Sequence, residues 1–172
     1  MKIENRTELK EYRIECQKNN RLTAEYWFAG GTGCLASGSG KIYEKLKELT
    51  KDHTGVEVKI GEEIAHTKVM KSGCHGFCEM GPLVRIEPYN YLYIKVKLED
   101  CEEIYNETIL GGRPVERLLY KMDGVTYPSQ EEIPFYAKQT RLVLKNCGHI
   151  DAEHIGGALA VGAYAGIEKA RL

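Results

Sequence analysis

Three of the chain's six cysteines are surrounded by glycine. Cys34 closes the run Gly30-Gly31-Thr32-Gly33-Cys34, and Cys74 and Cys78 frame a turn in Ser72-Gly73-Cys74-His75-Gly76-Phe77-Cys78. Glycine removes bulk beside each thiol and leaves backbone N–H groups free to point at a negatively charged sulfur or anion. Two cysteines four positions apart in such a turn direct both sulfurs to one side. A second pair from another loop completes four thiolates around two irons, the usual ligation of a [2Fe–2S] cluster. One pair is present and the other is half present, because the position five residues before Cys34 is Ala29.

The missing donor has several candidate replacements: Cys16, Cys101, Cys147, His75 or a solvent-derived group. Imidazole ligation occurs in such centres, but His75 adjoins Cys74, which makes binding of the same iron awkward. Cys16 is the preferred replacement, since an N-terminal helix can reach the sheet end. A zinc site built from Cys34, Cys74, Cys78 and His75 is a separate metal reading, because four mixed N/S ligands suit tetrahedral zinc. The plainest alternative is a structural glycine turn holding small buried thiols. Cys16, Cys101 and Cys147 stand alone among ordinary helix-type or strand-type residues, and His53, His66, His149 and His154 read as surface or turn residues. The glycines before Cys34 lack the Lys-Ser/Thr of a phosphate-binding loop and the spacing of a dinucleotide fingerprint. A thiol–disulfide enzyme is disfavoured by the absence of a Cys-x-x-Cys pair after the first strand.

These loops need elements to hold them. Residues 7–19 are mainly charged, with Leu9, Tyr12 and Cys16 at helical spacing, and predict an amphipathic helix. Residues 24–29 form an aromatic run ending in glycines, a buried strand entering a tight loop. Ile42, Leu46 and Leu49 stripe a helix over 41–51. Residues 55–60 alternate with period two as a second strand, and 68–70 form a short extended piece leading to the second cysteine loop. Segments 83–88 and 91–96 read as paired strands around a turn, and 99–112 as an acid-rich helix stopped by Gly111-Gly112. The order β-α-β, hairpin, α suits a thioredoxin-like α/β domain, a mixed sheet flanked by helices. Beyond it, 113–134 read as an extended connector, 135–145 as a strand or short helix, and 152–172 as an Ala/Gly-rich stretch able to pack closely against a partner. Three parts follow: an N-terminal helix at 1–21, the thioredoxin-like domain at 22–112, and a linker with a helical extension at 113–172.

At 172 residues the chain has room for a real core. With 24 basic and 25 acidic residues it shows no charge excess, so neither a nucleic-acid surface nor a membrane-surface patch is indicated, and the partner is expected to be a protein or a small molecule. No apolar stretch is long enough to span a bilayer and the start lacks a signal-peptide core, which places the chain in the cytoplasm. Oligomerisation stays open.

Two segments carry a family resemblance: Gly31-Thr32-Gly33-Cys34-Leu35-Ala36-Ser37-Gly38-Ser39 and Gly73-Cys74-His75-Gly76-Phe77-Cys78-Glu79-Met80-Gly81-Pro82-Leu83-Val84. They resemble the thioredoxin-like [2Fe–2S] ferredoxin domain at the N-terminus of the NADH-oxidising flavoprotein subunit, found in complex-I-like NADH dehydrogenases and electron-bifurcating iron-only hydrogenases. Pro134-Phe135-Tyr136-Ala137-Lys138-Gln139 and Leu144-Lys145-Asn146-Cys147-Gly148-His149-Ile150-Asp151 resemble the linker that precedes that family's flavin domain. The resemblance implies an electron-transport module of an NADH-dependent oxidoreductase, not catalytic alone, with Cys34, Cys74 and Cys78 as cluster ligands and Ala29 at the remaining ligand position. It implies flavoprotein and other redox subunits as partners, with FMN and NADH bound only in a further domain or a partner. The rival expectation is a cluster-free docking domain that positions a flavoprotein.

Overall fold

The computed structural model describes residues 3, 5–21, 23–29, 32–51, 57–60, 63–151 and 153–170. Gly30 and Gly31 of the first cysteine loop, His53, the start of the expected second strand at 55–56, and residues 22, 152 and 171–172 lie outside the described residues.

The chain opens with α1 (Arg6–Arg21), then β1 (Thr23–Ala29), the short α2 (Thr32–Ala36), α3 (Ser39–Lys51), β2 (Glu57–Ile60) and β3 (Glu63–Ser72). Strands β4 (Val84–Ile86) and β5 (Tyr91–Tyr93) form the expected hairpin. The sheet runs β2-β3-β1-β4-β5, with β1 parallel to β3 and every other neighbour antiparallel. A β-α-β unit followed by an antiparallel hairpin and a helix is the thioredoxin-like α/β arrangement. The third strand is much longer than the extended piece expected at 68–70, since β2 and β1 flank it on both edges and pair its whole length.

Helix α3 lays Ile42 and Leu46 into the core, and burying each contributes about 1.5–3 kcal/mol. The acid-rich helix begins with a 3-10 turn, Leu98–Asp100, in which the Asp100 carboxylate accepts from the Lys97 N–H at 2.7 Å. It continues as α4 (Cys101–Glu103) and widens to π geometry over Ile104–Leu110. Cys101 and Ile104 are fully buried on this helix and share the α3 core with Val84, Ile86 and Tyr93.

Segment 113–134 is not an extended connector. Val115, Leu118, Leu119 and Ile133 are buried, and the backbone bonds of Leu92 N–H to Pro128 O and Ile94 N–H to Leu118 O dock the segment on β5. It carries its own hairpin, β6 (Tyr120–Met122) and β7 (Val125–Tyr127), whose turn residues Asp123 and Gly124 both have positive φ. Asp-Gly is the preferred pair for a two-residue hairpin turn, because both positions need left-handed backbone. Short helices α5 (Pro134–Ala137), α6 (Ile155–Ala160) and α7 (Ala165–Ala170) follow. The small residues of α6 meet α1: the Cys16 sulfur lies 3.4 Å from where a Cβ on Gly156 would stand, and Gln17 donates to Ala160 O.

One buried polar chain ties this later segment to the sheet. The Val115 N–H donates to the Tyr93 hydroxyl (2.9 Å), which donates to Thr108 Oγ1 (2.6 Å), which donates to Arg113 O (2.9 Å). Tyr93→Phe strands the Val115 N–H in a dry site, so unfolding in urea should show a loss of about 1–3 kcal/mol. Tyr120→Phe, whose hydroxyl reaches only the Met122 sulfur, should leave the midpoint almost unmoved.

Candidate metal centre

Strands β1 and β3 run side by side in the same direction, and their last residues, Ala29 and Ser72, are register partners. Both cysteine loops therefore leave the same sheet end, at the carboxyl edge where α/β sheets place their ligands. Cys34 follows β1 on α2 and is buried. Cys74 follows β3, and Cys78 starts the 3-10 turn Cys78–Met80 in an exposed position.

Two glycines set the fit between the loops. A Cβ on Gly33 would lie 3.8 Å from the Cys78 Cβ and 3.9 Å from its sulfur, ordinary contact distances. One on Gly81 would lie 2.8 Å from the Cys34 sulfur, closer than a side chain tolerates. Gly81 has an ordinary extended backbone (φ −73°, ψ 160°), so space and not conformation demands glycine there.

Cys34 and Cys78 respond to their neighbours. Burial pushes the Cys34 thiol up, and the neighbouring Cys78 and Cys74 charges push it further, against a backbone N–H from Leu83 that favours the thiolate. Cys78 is raised chiefly by its hydrogen bond with Cys74 and by the Cys74 charge. The Gly76 N–H donates to the Cys74 sulfur at 3.3 Å. Cys34 and Cys78, two thiols held protonated beside a third, suit a cation that takes them as thiolates. The donor chemistry and the close glycine cradle fit a thiolate-held iron–sulfur cluster.

The other expected donors are placed differently. Cys16, the preferred fourth ligand, sits in the α1–α6 contact, where it hydrogen-bonds Tyr12 and faces Gly156. Cys101 is a packing residue: burial pushes its thiol up to about 11, and its S–H points at Lys97 O. His75 is buried with both ring nitrogens engaged, Nδ1 with Gln130 Oε1 (3.0 Å) and Nε2 with Ser72 Oγ (3.1 Å). Burial lowers its pKa to about 4, and with both nitrogens taken by Gln130 and Ser72 the ring offers neither to a zinc ion. Cys147 alone among these touches the second loop, 3.5 Å from both Ser72 Oγ and Cys74 O. Among the described residues, no three His, Cys, Asp or Glu side chains close on one ion position.

Sequence reasoning missed what holds the second loop. Phe77 stacks on Phe135 (centroids 4.8 Å apart) and meets Tyr136 and Tyr120 at 5.4 and 5.5 Å. Cys34, Phe77, Leu83, Leu92, Ile133 and Tyr136 form one buried cluster, so residues beyond 113 supply the floor of the site. Arg141 donates to His75 O at 2.6 Å and lies over the Tyr136 ring. Arg85, almost fully buried, reaches Glu87, Asn90 and Glu131 and pins the turn beside Gln130 to β4. The legible signal was the aromatic pair Phe135-Tyr136 immediately after a proline.

No family model matches the chain. Over 87 residues it is 32% identical to the 2Fe–2S ferredoxin of Aquifex aeolicus, a match covering 50% of this chain and 71% of that protein. Over 86 residues it is 31% identical to the 2Fe–2S ferredoxin of Clostridium pasteurianum, covering 49% and 76%. Among solved structures, the wild-type thioredoxin-like [2Fe–2S] ferredoxin from Aquifex aeolicus aligns with a TM-score of 0.48 at 26% identity, over 58% of this chain and 98% of that one.

Gly81→Ala tests the cradle. The added methyl meets the Cys34 sulfur without straining the backbone, and iron retained per chain after anaerobic loading should fall severalfold. Gly166→Ala, which meets nothing within 4 Å, should retain the wild-type amount.

Proposed function

Because the chain belongs to the [2Fe–2S] ferredoxin family, we propose that it is a one-electron carrier, holding a [2Fe–2S] cluster at Cys34, Cys74 and Cys78 and working within an NADH-dependent oxidoreductase or hydrogenase complex. The observation that carries this reading is that the loops bearing Cys34, Cys74 and Cys78 leave one sheet end and meet through close glycine contacts, Gly33 against Cys78 and Gly81 against Cys34. When bound, a [2Fe–2S] cluster accepts and releases single electrons at a potential set by its ligands, by hydrogen bonds to its sulfurs and by solvent exposure. Each of these settings is a property of residues described here. Cys34 is buried while Cys78 is exposed, so one side of the site is sheltered and the other opens to a partner. The Leu83 and Gly76 N–H groups point at the Cys34 and Cys74 sulfurs and favour the more negative state.

The placement in an NADH-oxidising complex rests on the linker-like segments 134–139 and 144–151. The partners are then a flavoprotein that carries FMN and oxidises NADH, and further redox subunits. Among the described residues no helix is long and apolar enough to cross a membrane.

Protein prepared without oxygen should be brown, hold about two irons per chain and give an electron paramagnetic resonance signal on reduction. NADH alone should leave its colour unchanged, and NADH with an NADH-oxidising flavoprotein subunit should bleach it. A colourless, iron-free preparation overturns the carrier reading and favours the cluster-free docking domain. A loaded protein that no such flavoprotein reduces overturns the placement.

A further inference from the structure

We propose that Cys147, from the segment following the domain, supplies the fourth thiolate in place of Ala29. The inference deepens the carrier reading above and rests on it. Positions 29 and 72 are register partners in parallel strands, so they share one face of the sheet. On that face the buried Ser72 hydroxyl has the Cys147 sulfur 3.5 Å away. The same sulfur lies 3.5 Å from the carbonyl oxygen of Cys74, and a Cβ on Gly73 would come within 3.2 Å of it. A second thiol thus stands at the end of β3, beside the register partner of position 29 and against the backbone of Cys74.

The segment is fixed there by contacts separate from the thiol. Arg141 donates to His75 O, and Gly148, at φ +82°, lies so close to the His75 ring that a Cβ would stand 2.7 Å from Cε1. Cys147 rides on a turn closed by its own N–H to Leu144 O and by the His149 N–H to Asn146 O. The Gln130 oxygen accepts from His75 Nδ1, so the Ser72 hydroxyl donates to Nε2 and the Cys147 S–H is left to donate to an oxygen 3.5 Å away. An S–H is a weak donor, and no regular element must unwind to turn this one. The other cysteines are committed elsewhere: Cys16 to the α1–α6 contact and Cys101 to the helix core.

Ligation is proton loss without electron transfer. The Cys147 thiol gives its proton to solvent, its sulfur forms the bond to iron, and the iron's oxidation state is unchanged. One consequence is mechanical, because the cluster then staples the linker to the domain.

The test uses the full chain loaded anaerobically with iron and sulfide. In the native loaded protein, alkylation by iodoacetamide followed by peptide mapping should find Cys34, Cys74, Cys78 and Cys147 shielded together, and all four modified faster once the iron is removed. Cys147→Ala should lose most of its iron, Cys147→Ser should keep it with a shifted resonance signal as oxygen replaces sulfur, and Ala29→Cys added to Cys147→Ala should restore loading. Equal iron and an unchanged signal in Cys147→Ala, no rescue by Ala29→Cys, or alkylation of Cys147 as fast in the loaded as in the iron-free protein would each overturn the assignment. The alkylation needs no variant, so a misfolded mutant does not shield the proposal. A wild-type chain that takes up no iron sinks the carrier reading with it, whereas a loaded wild type and an equally loaded Cys147→Ala sink this assignment alone.

Discussion

The parallel pairing of β1 with β3 is the constraint on which the site depends. The seven paired positions from Thr23↔His66 to Ala29↔Ser72 end both strands at the same level, so two loops far apart in sequence leave from adjacent points. A slip of one residue would exchange the faces of the whole strand and move Cys74 relative to Cys34. The register is held from both sides, by β4 on the outer edge of β1 and by β2 on the outer edge of β3.

The segment after the domain is a working part of the site. Ile133 and Tyr136 floor it, Phe135 stacks on the ring between the two loop cysteines, and Gln130 and Arg141 hold His75 from opposite ends. These contacts, all between protein groups, brace the Cys74 loop. A preformed loop has less conformational freedom to lose when its thiols are drawn together, which favours binding. The burial that raises the Cys34 thiol acts in the other direction, and binding must release its proton.

Much of this was legible in the sequence. Glycine flanks Cys34, Cys74 and Cys78 for a local reason, and the same reason appears in the structure as the close approach at Gly81. Helix α3 and the β4–β5 hairpin were legible because their periodicity and turn are local too. The hairpin at Asp123-Gly124 went unread because its strands mix exposed and half-buried residues and give no clean alternation. The position of Cys147 carried no local signal: its contacts with Ser72 and Cys74 span more than seventy residues and follow from how the linker folds back. Cys16 was preferred because an N-terminal helix can reach the sheet end and fill the vacancy at Ala29, but the face that carries it meets α6.

X-ray absorption at the iron edge tests the central claim most directly, since it reports the atoms around the metal without reference to any mutation. The account predicts a first shell of sulfur alone with a single iron neighbour beyond it. A shell containing nitrogen or oxygen, or iron without an iron neighbour, would contradict it.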